Sequence, residues 1–133
     1  MKDYEMAERL LIDTDVLIDY LRGKAEAVLY LESLNESLMV SVITVAELYA
    51  GVREGVERTS LDDFIRVFEI VPVSLEIATR GGLLRRDYVK SHNVGLADAL
   101  IAATAEFRQA KLVTLNGKHF PMLANVVAPY QKA

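Results

Sequence analysis

Short apolar runs of strand length alternate with segments of helical periodicity, and this alternation constrains the fold more than any other feature of the chain. The runs are LLID, LMVSVI, EIVPV, KLVTLN and NVVAP, and between them lie helical stretches such as TDVLIDYLRG and GLADALIAATAEF. Strands that alternate with helices form a parallel sheet with helices on both faces. We therefore expect an α/β protein, a three-layer α/β/α sandwich with a central parallel sheet of four to five strands.

The length and composition fit one globular domain. The chain has 133 residues, enough for one ordinary hydrophobic core, so we expect a single domain over residues 1–133. Its hydrophobic content of 52% and charged content of 26% exclude a disordered chain. It contains no cysteine, which excludes disulfides, a thiolate zinc site and a cysteine nucleophile. Any metal ion must therefore be held mainly by oxygen.

Neither the N-terminus nor any internal segment has the pattern of a membrane-directed sequence. The first residues, MKDYEMAERLL, are charged and lack the apolar core of a signal peptide. The most apolar long stretch, LMVSVITVAELYAG, is interrupted by Ser, Thr and Glu and is too short to span a bilayer. We expect a soluble, cytoplasmic protein that does not associate with membranes.

The net charge of −4 does not favour a nucleic-acid partner, because phosphate binding depends on Lys and Arg. Bound divalent cations would offset acids that belong to a metal site, so the sign of the total charge does not decide the matter. Local basic clusters matter more, and each is either a solvated face or a phosphate contact. The two clusters are Arg85, Arg86 and Lys90, and Lys111, Lys118 and His119.

Three acidic residues lie in apolar surroundings on separate elements. Asp13 ends the first run, Glu47 follows the second, and Asp98 lies early in the apolar helix before KLVTLN. Glu47 and Asp98 have no cationic residue three or four positions away, and a buried carboxylate must be protonated, paired or bound to a cation. Active sites of parallel sheets lie at the carboxyl ends of strands, so the three acids can converge there. Oxygen ligands favour Mg²⁺ or Mn²⁺ over Zn²⁺.

Each acidic residue also has an explanation that involves no chemistry. Asp13 can be an ordinary residue at the end of a strand. Thr44 and Glu47 match the capping box T-V-A-E, in which the glutamate only satisfies a helix terminus. Asp98 fits a first-turn aspartate stabilised by the helix dipole. A helix that begins at residue 15 makes Asp15 an N-cap and leaves Asp19 near solvent, and for these two residues we favour the structural roles.

The segment LVTLNGKHFP adds two polar candidates near the C-terminus. Asn116 can coordinate a metal ion through its carbonyl oxygen, but N-G is also a common turn dipeptide. His119 can assist a leaving group or contact phosphate, although a histidine beside a phenylalanine is more often structural.

Four segments together resemble a known family. In order and spacing they are similar to the four signature segments of the PIN domain, most closely of the VapC-type toxins of toxin-antitoxin systems. The likeness covers residues 10 to about 128. The segments are LLIDTDVLIDYLRG, SVITVAELYAGVREG, GLADALIAATAEF and LVTLNGKHF.

The resemblance implies a Mg²⁺- or Mn²⁺-dependent endoribonuclease. The first three acids of the family fall on Asp13, Glu47 and Asp98, and the fourth falls on Asn116, so these four residues are the implied catalytic and metal-binding set. An amide at position 116 attracts a divalent ion less than a carboxylate, which weakens the case for a second metal ion. Thr14 and Thr114 match the hydroxyl positions of the family, where they would order the site.

The resemblance also implies partners. Toxins of this type act on RNA, pair with a cognate antitoxin that obstructs the acidic cleft, and commonly form homodimers. An apolar helix or segment of the antitoxin needs an apolar groove on the toxin. The candidate groove residues are Leu48, Tyr49, Val52, Phe64, Val67 and Phe68.

Other protein classes fit parts of the sequence. D-T-D-V matches the box of haloacid-dehalogenase-like phosphatases, in which Asp13 would be the nucleophile and Asp15 the general acid, but the later acidic pair of that family is missing. A phosphoryl-receiver domain needs another aspartate at the end of a middle strand, and EIVPV supplies none. A degenerate PIN fold that only binds RNA or protein is the non-enzymatic alternative, because Asn116 replaces an acid.

Overall fold

The computed structural model describes residues 8–131. Residues 1–7, which carry most of the N-terminal stretch that lacks a signal-peptide pattern, lie outside the described residues, as do residues 132–133. Within the described part of the chain, no helix is long and apolar enough to cross a membrane.

Five strands and six helices make up the described chain. The strands are β1 (Leu10–Ile12), β2 (Leu38–Ser41), β3 (Glu69–Val71), β4 (Lys111–Val113) and β5 (Val126–Val127). The helices are α1 (Thr14–Leu21), α2 (Ala25–Glu32), α3 (Val42–Ala50), α4 (Val56–Ile65), α5 (Leu75–His92) and α6 (Leu96–Phe107). A short 3-10 helix covers Gly117–His119.

The five strands form one parallel sheet in the order β3-β2-β1-β4-β5. The chain moves outwards from β1 through β2 to β3 and then crosses to the other side of β1 for β4 and β5. The switch point of the sheet therefore lies between β1 and β4, and ligands of open parallel sheets bind at the carboxyl ends beside such a point. The expected α/β/α class is confirmed, and β3, which is followed by Pro72, is an edge strand as expected.

Alternate residues of the central strands face two separate cores. Leu11, Met39 and Leu112 pack with residues of α5 and α6, such as Leu84 and Ala102. The opposite face of the sheet carries Leu10, Ile12, Val40 and Val113, which pack with residues of α1 to α4. This period of two along each strand produces the two outer layers. The alanine-rich α6 is buried along most of its length, as its composition predicts.

The boundary between β2 and α3 differs from the expected one. The apolar run LMVSVI predicts a strand up to residue 43, but β2 ends at Ser41, whose hydroxyl accepts a hydrogen bond from the Ile43 amide at 3.0 Å. This cap starts α3 at Val42 despite the β-branched residues that follow it. The predicted capping box, in which Thr44 caps the helix and Glu47 follows three residues later, is therefore wrong, because both residues lie inside the helix.

The start of α1 also differs from the expectation, whereas its end agrees. The N-cap is Asp13, which accepts a hydrogen bond from the Thr14 amide at 2.8 Å, so Asp15 is a residue of the first turn and not the cap. Gly23 has a φ of 77°, which suits glycine and stops the helix as predicted. The apolar residues Leu61, Phe64, Ile65 and Phe68 recur at helical spacing in the segment SLDDFIRVFE and predict a helix there, but α4 begins earlier, at Val56.

Two consecutive glycines, Gly81 and Gly82, predict a weak point in a helix because glycine has low helix propensity, but α5 continues through both. Gly81 is buried against α6, and a Cβ atom at this position would lie 2.6 Å from Leu100 Cδ2 and 3.2 Å from Leu100 Cα. A Cβ atom at Gly82 would have nothing within 4 Å. Gly81 thus permits the close approach of α5 and α6, and the gain from packing outweighs its low helix propensity.

Alanine substitutions at the two glycines should have opposite effects. We expect Gly81→Ala to lower the free energy of unfolding by about 1–2 kcal/mol, because overpacking exceeds the gain in helix propensity. Gly82→Ala is the matched control and should raise it by about 0.5–1 kcal/mol. Urea denaturation of both variants measures the difference. Equal effects at the two positions would contradict the close contact between α5 and Leu100.

Candidate active site

The carboxyl ends of β1 and β4 bring Asp13 and Thr114 together at the switch point. The Asp13 side chain accepts a hydrogen bond from the Thr114 hydroxyl at 2.7 Å and one from the Thr14 amide at 2.8 Å. Asp13 is only 6% exposed and Thr114 is buried. The sequence prediction that Asp13 ends the first strand beside a cleft agrees with this position.

The environment of Asp13 disfavours its charged form. Burial raises its pKa from 3.8 to about 7, and the neighbouring carboxylates of Asp15 and Asp98 act in the same direction. The bonds from Thr114 and Thr14 lower the pKa but do not compensate. Asp13 is therefore a buried acid whose charge needs a positive partner.

Glu47 reaches the site from α3 through a chain of hydroxyl groups. The Thr14 hydroxyl lies 2.5 Å from Glu47 Oε1 and 3.0 Å from the buried Thr44 hydroxyl. A hydroxyl has one hydrogen, so Thr14 donates it to the carboxylate and accepts from Thr44. The expected burial of Glu47 is wrong, because its side chain is exposed. The hydroxyl chain, rather than burial, holds this carboxylate.

Asp98 lies in the first turn of α6, where its carboxylate is about one-third exposed. Burial raises its pKa, a nearby His119 lowers it, and Glu47 and Asp15 raise it again. His119 Nδ1 stands 3.5 Å from Asp98 Oδ2, and the ring is half exposed. His119 is thus beside the acids, a position that the neighbouring phenylalanine in the sequence did not suggest.

Asp15 is the residue that the sequence interpretation misplaced. Its Oδ2 atom accepts hydrogen bonds from the Leu115 amide at 3.1 Å and from the Asn116 side-chain amide at 2.9 Å. Its charge also raises the pKa of both Asp13 and Asp98. The predicted role as a cap at the rim is wrong, because Asp15 faces the end of a strand about one hundred residues away in the chain. No local pattern carries that information.

Asn116 and Asp19 occupy different surroundings. Asn116 precedes the 3-10 helix, and its backbone carbonyl oxygen accepts a hydrogen bond from the His119 backbone amide at 2.9 Å. The predicted N-G turn therefore exists, and it also borders the acids. Asp19 accepts a hydrogen bond from the Tyr130 hydroxyl at 2.9 Å. We refer to Asp13, Asp15, Glu47 and Asp98 as the acidic site.

The donor chemistry of the acidic site fits a hard divalent cation. Its groups are carboxylate oxygens. Burial and, to a smaller extent, the repulsion between the carboxylates raise the pKa of Asp13 and of Asp98, and a bound cation would oppose both effects. Within residues 8–131, no three Asp, Glu, His or Cys side chains are already grouped as ligands of one ion. Glu47 is held by the Thr14 hydroxyl, and Asp98 faces His119.

The two basic clusters are exposed. On α5, Arg86 pairs with Asp87 at 2.9 Å, whereas Arg85 and Lys90 have exposed side chains. Lys111 pairs with Glu8 at 2.6 Å. Lys118 is exposed next to His119, so the second cluster reaches the edge of the acidic site only through these two residues.

Comparison with known families and structures agrees with this geometry. The family model described as PIN domain matches residues 10–125, most of the chain. The chain belongs to the PIN domain family. The resemblance drawn from its four sequence segments is therefore confirmed.

Named relatives and solved structures cover almost the whole PIN domain. Ribonuclease VapC10 of Mycobacterium tuberculosis is 41% identical over 91% of this chain and 92% of its own length. Ribonuclease VapC19 of the same organism is 43% identical over 90% of this chain and 98% of its own length. A structure titled as a toxin-antitoxin complex from Klebsiella pneumoniae matches with a TM-score of 0.81 and 32% identity, over 92% of this chain and 99% of the matched chain.

The stability of the metal-free PIN domain should depend on pH through Asp13. Its pKa is higher in the folded protein, about 7, than the ordinary 3.8, so stability falls as pH rises between these values and stays low above them. In EDTA at about pH 8, we expect Asp13→Asn to raise the free energy of unfolding by up to about 4 kcal/mol. At about pH 4 the variant and wild type should differ little. Urea denaturation at both pH values tests this, and a pH-independent difference would contradict it.

Proposed function

We propose that this PIN domain is a metal-dependent endoribonuclease that acts as the toxin of a toxin-antitoxin pair. The observation that carries the proposal is the buried Asp13, surrounded by Asp15, Asp98 and Glu47 at the switch point of the sheet. The two mycobacterial relatives bear the name ribonuclease and match over their full domain. The site and the family thus support the same activity.

Asp13, Glu47, Asp98 and Asn116 are the proposed residues that hold Mg²⁺ or Mn²⁺. Asp13 is the central ligand because its burial makes a bare charge unfavourable. Asp98 and Glu47 border it from α6 and α3, and Asn116 offers a neutral carbonyl oxygen. A neutral fourth group favours one tightly bound ion over two.

The reaction is hydrolysis of an RNA phosphodiester bond. A bound divalent cation acidifies water and offsets charge on the phosphate oxygens. Glu47 is exposed and aligned by the Thr14 hydroxyl, so its carboxylate can accept a proton from the attacking water. The exposed ring of His119, when protonated, can hold the phosphate or supply a proton to the leaving oxygen.

The bond balance of this reaction determines the products. Water oxygen attacks phosphorus, the bond from phosphorus to the 3′ oxygen breaks, and the leaving oxygen takes up a proton. A 5′-phosphate and a 3′-hydroxyl result, and the ribose 2′-hydroxyl takes no part. A ribonuclease acts where RNA is present, so we propose a cytoplasmic location.

A groove beside Glu47 is the proposed seat of an antitoxin segment. It has a volume of about 590 Å³ and lies between α1, α3 and α4. Its apolar lining comprises Ile18, Leu21, Leu48, Val52 and Leu61, and Glu47 lies at its edge. An apolar helix in this groove could place a cationic side chain on Glu47 and thereby block the site.

The predicted groove residues divide into two groups. Leu48 and Val52 line the groove, as proposed. Tyr49 instead donates a hydrogen bond to Asp62 at 2.5 Å, and Phe64 stacks on Tyr20 with 5.2 Å between ring centroids. Phe68 packs against Phe64, and Val67 is exposed away from the groove lining.

The implied homodimer stays a prediction. Helices α5 and α6 carry exposed apolar side chains that a second copy could cover, at Leu75, Leu83 and Leu96. The phosphatase alternative with Asp13 as nucleophile is disfavoured by membership of the PIN family, and trapping of a phosphoaspartate would revive it. The cleavage experiment distinguishes a catalytic PIN domain from the degenerate, non-catalytic alternative.

Purified protein, freed of any antitoxin, should cleave structured RNAs in Mn²⁺ but not in EDTA. We expect Asp13→Asn, Glu47→Gln and Asp98→Asn each to lower the rate by about 100-fold or more, since even outer partners of metal ligands contribute about 10–100-fold. Gel analysis of a panel of transfer, ribosomal and messenger RNAs measures the rates and the 5′-phosphate ends.

Asp19→Asn is the matched control for the cleavage experiment. It removes one acid from the same helix as the site, but its partner is the Tyr130 hydroxyl, so cleavage should be unchanged. Cleavage that persists in EDTA or in Asp13→Asn would rule out the metal mechanism. Absence of cleavage in every RNA, with Mn²⁺ bound, would favour the non-catalytic alternative.

An acidic residue in the groove should weaken antitoxin binding. Leu21 lines the groove and is 43% exposed, so Leu21→Asp should leave the fold intact and lower antitoxin affinity by about tenfold or more. Leu29 is 72% exposed on α2 and is absent from the groove lining, so Leu29→Asp is the control. Co-purification with the cognate antitoxin and calorimetric titration measure the affinities. Equal binding by both variants would place the antitoxin elsewhere.

A further inference from the structure

The Asp15 carboxylate joins the start of α1 to the segment that follows β4. Its Oδ2 atom accepts from the Leu115 amide at 3.1 Å and from Asn116 Nδ2 at 2.9 Å, and the Thr114 hydroxyl lies 3.4 Å away. All three neighbours belong to the consecutive residues 114–116. From the start of α1, Asp15 therefore holds the polar segment that follows β4, across the switch point between β1 and β4.

This contact determines which atom of the Asn116 side-chain amide faces Asp15. An ionised carboxylate only accepts hydrogen bonds, so the amide must turn its NH₂ group towards Asp15. The carbonyl oxygen of Asn116 then points away from Asp15 by the geometry of the planar amide. Oxygen is the only atom of an amide side chain that ligates Mg²⁺ or Mn²⁺. The contact with Asp15 thus selects the orientation in which Asn116 can serve as a ligand.

The same segment is also fastened to Asp13. Thr114 lies 2.7 Å from Asp13 Oδ2 but 3.4 Å from Asp15, so its single hydroxyl hydrogen goes to Asp13. The Asn116 backbone amide donates to the Thr114 hydroxyl at 3.1 Å. Asp13 and Asp15 hold residues 114–116 from two sides, one through a hydroxyl and the other through amides.

We infer that Asp15 is a positioning residue that orients Asn116 for metal binding and is not itself a metal ligand. This inference rests on the proposed function of the acidic site. Asp15 acts through hydrogen bonds to Leu115 and Asn116, so an uncharged oxygen at position 15 preserves much of its role. If Asp15 were a ligand, an uncharged oxygen would not replace it. Its charge also acts on Asp13 and Asp98, so every substitution that removes the charge lowers cation affinity by a similar amount.

Three variants separate the positioning role from a ligand role. Asp15→Asn keeps an acceptor oxygen, whereas Asp15→Ala removes it, and Asp19→Ala is the control on the same helix. Isothermal titration with Mn²⁺ alone should give a loss of affinity of about tenfold or more for Asp15→Ala, as for other partners of ligands. Asp15→Asn should bind Mn²⁺ about threefold or more tightly than Asp15→Ala, because both variants lose the charge and only the asparagine keeps an acceptor oxygen. Asp19→Ala should bind as wild type does.

A double-mutant cycle tests whether Asp15 acts through Asn116. In a protein that carries Asn116→Ala, Asp15→Asn and Asp15→Ala should bind Mn²⁺ within about twofold of each other, because both lose the charge and the group that Asp15 orients is already gone. A difference between them as large as in the protein that keeps Asn116 would overturn the inference. Equal loss in Asp15→Asn and Asp15→Ala would also overturn it and would indicate a ligand or charge role.

Hydrogen exchange of the Leu115 amide gives a readout that needs neither metal nor activity. Its protection should fall at least about tenfold in Asp15→Ala and be largely restored in Asp15→Asn, with little change at Leu112 in the core strand. Unchanged protection in Asp15→Ala would show that Asp15 does not hold the Leu115 amide, and would overturn the inference. If the wild type neither bound Mn²⁺ nor cleaved RNA, the proposed function would fail, while the exchange data would still report whether Asp15 holds this segment.

Discussion

The burial of the Asp13 carboxylate is the constraint on which the rest of the site depends. Asp13 caps α1, closes the end of β1 and receives the Thr114 hydroxyl from β4, so its position is tied to three elements at once. Those bonds do not balance the loss of water and the charge of neighbouring acids, and its pKa rises to about 7. The fold therefore places at its switch point a carboxyl group whose ionisation is unfavourable. Ionisable groups with such shifted pKa values are common at functional sites.

Hydroxyl and amide groups distribute the acids around Asp13. Thr14 holds Glu47, Thr114 holds Asp13, and the amides of residues 115 and 116 hold Asp15. Each bond spans separate elements, so the carboxylates are kept apart yet within electrostatic range of one another. A cation bound near these acids would offset their mutual repulsion.

The groove and the acidic site share Glu47. The groove lies where α1, α3 and α4 meet. These helices pack on the same face of the sheet, and α1 and α3 also carry Thr14 and Glu47. A partner that fills the apolar lining is thereby brought next to a residue proposed for catalysis. This arrangement gives a physical route from partner binding to inhibition without any change in the fold.

The sequence by itself determined the layer architecture and three of the acids. Periodicity defines which residues face a sheet, and Asp13 and Asp98 lie at positions that local pattern identifies. Only the tertiary structure decided the surroundings of Asp15 and His119 and the exposure of Glu47. Asp15 meets residues 115 and 116 across about one hundred positions of the chain. Such contacts arise from the order of strands in the sheet, which no local pattern contains.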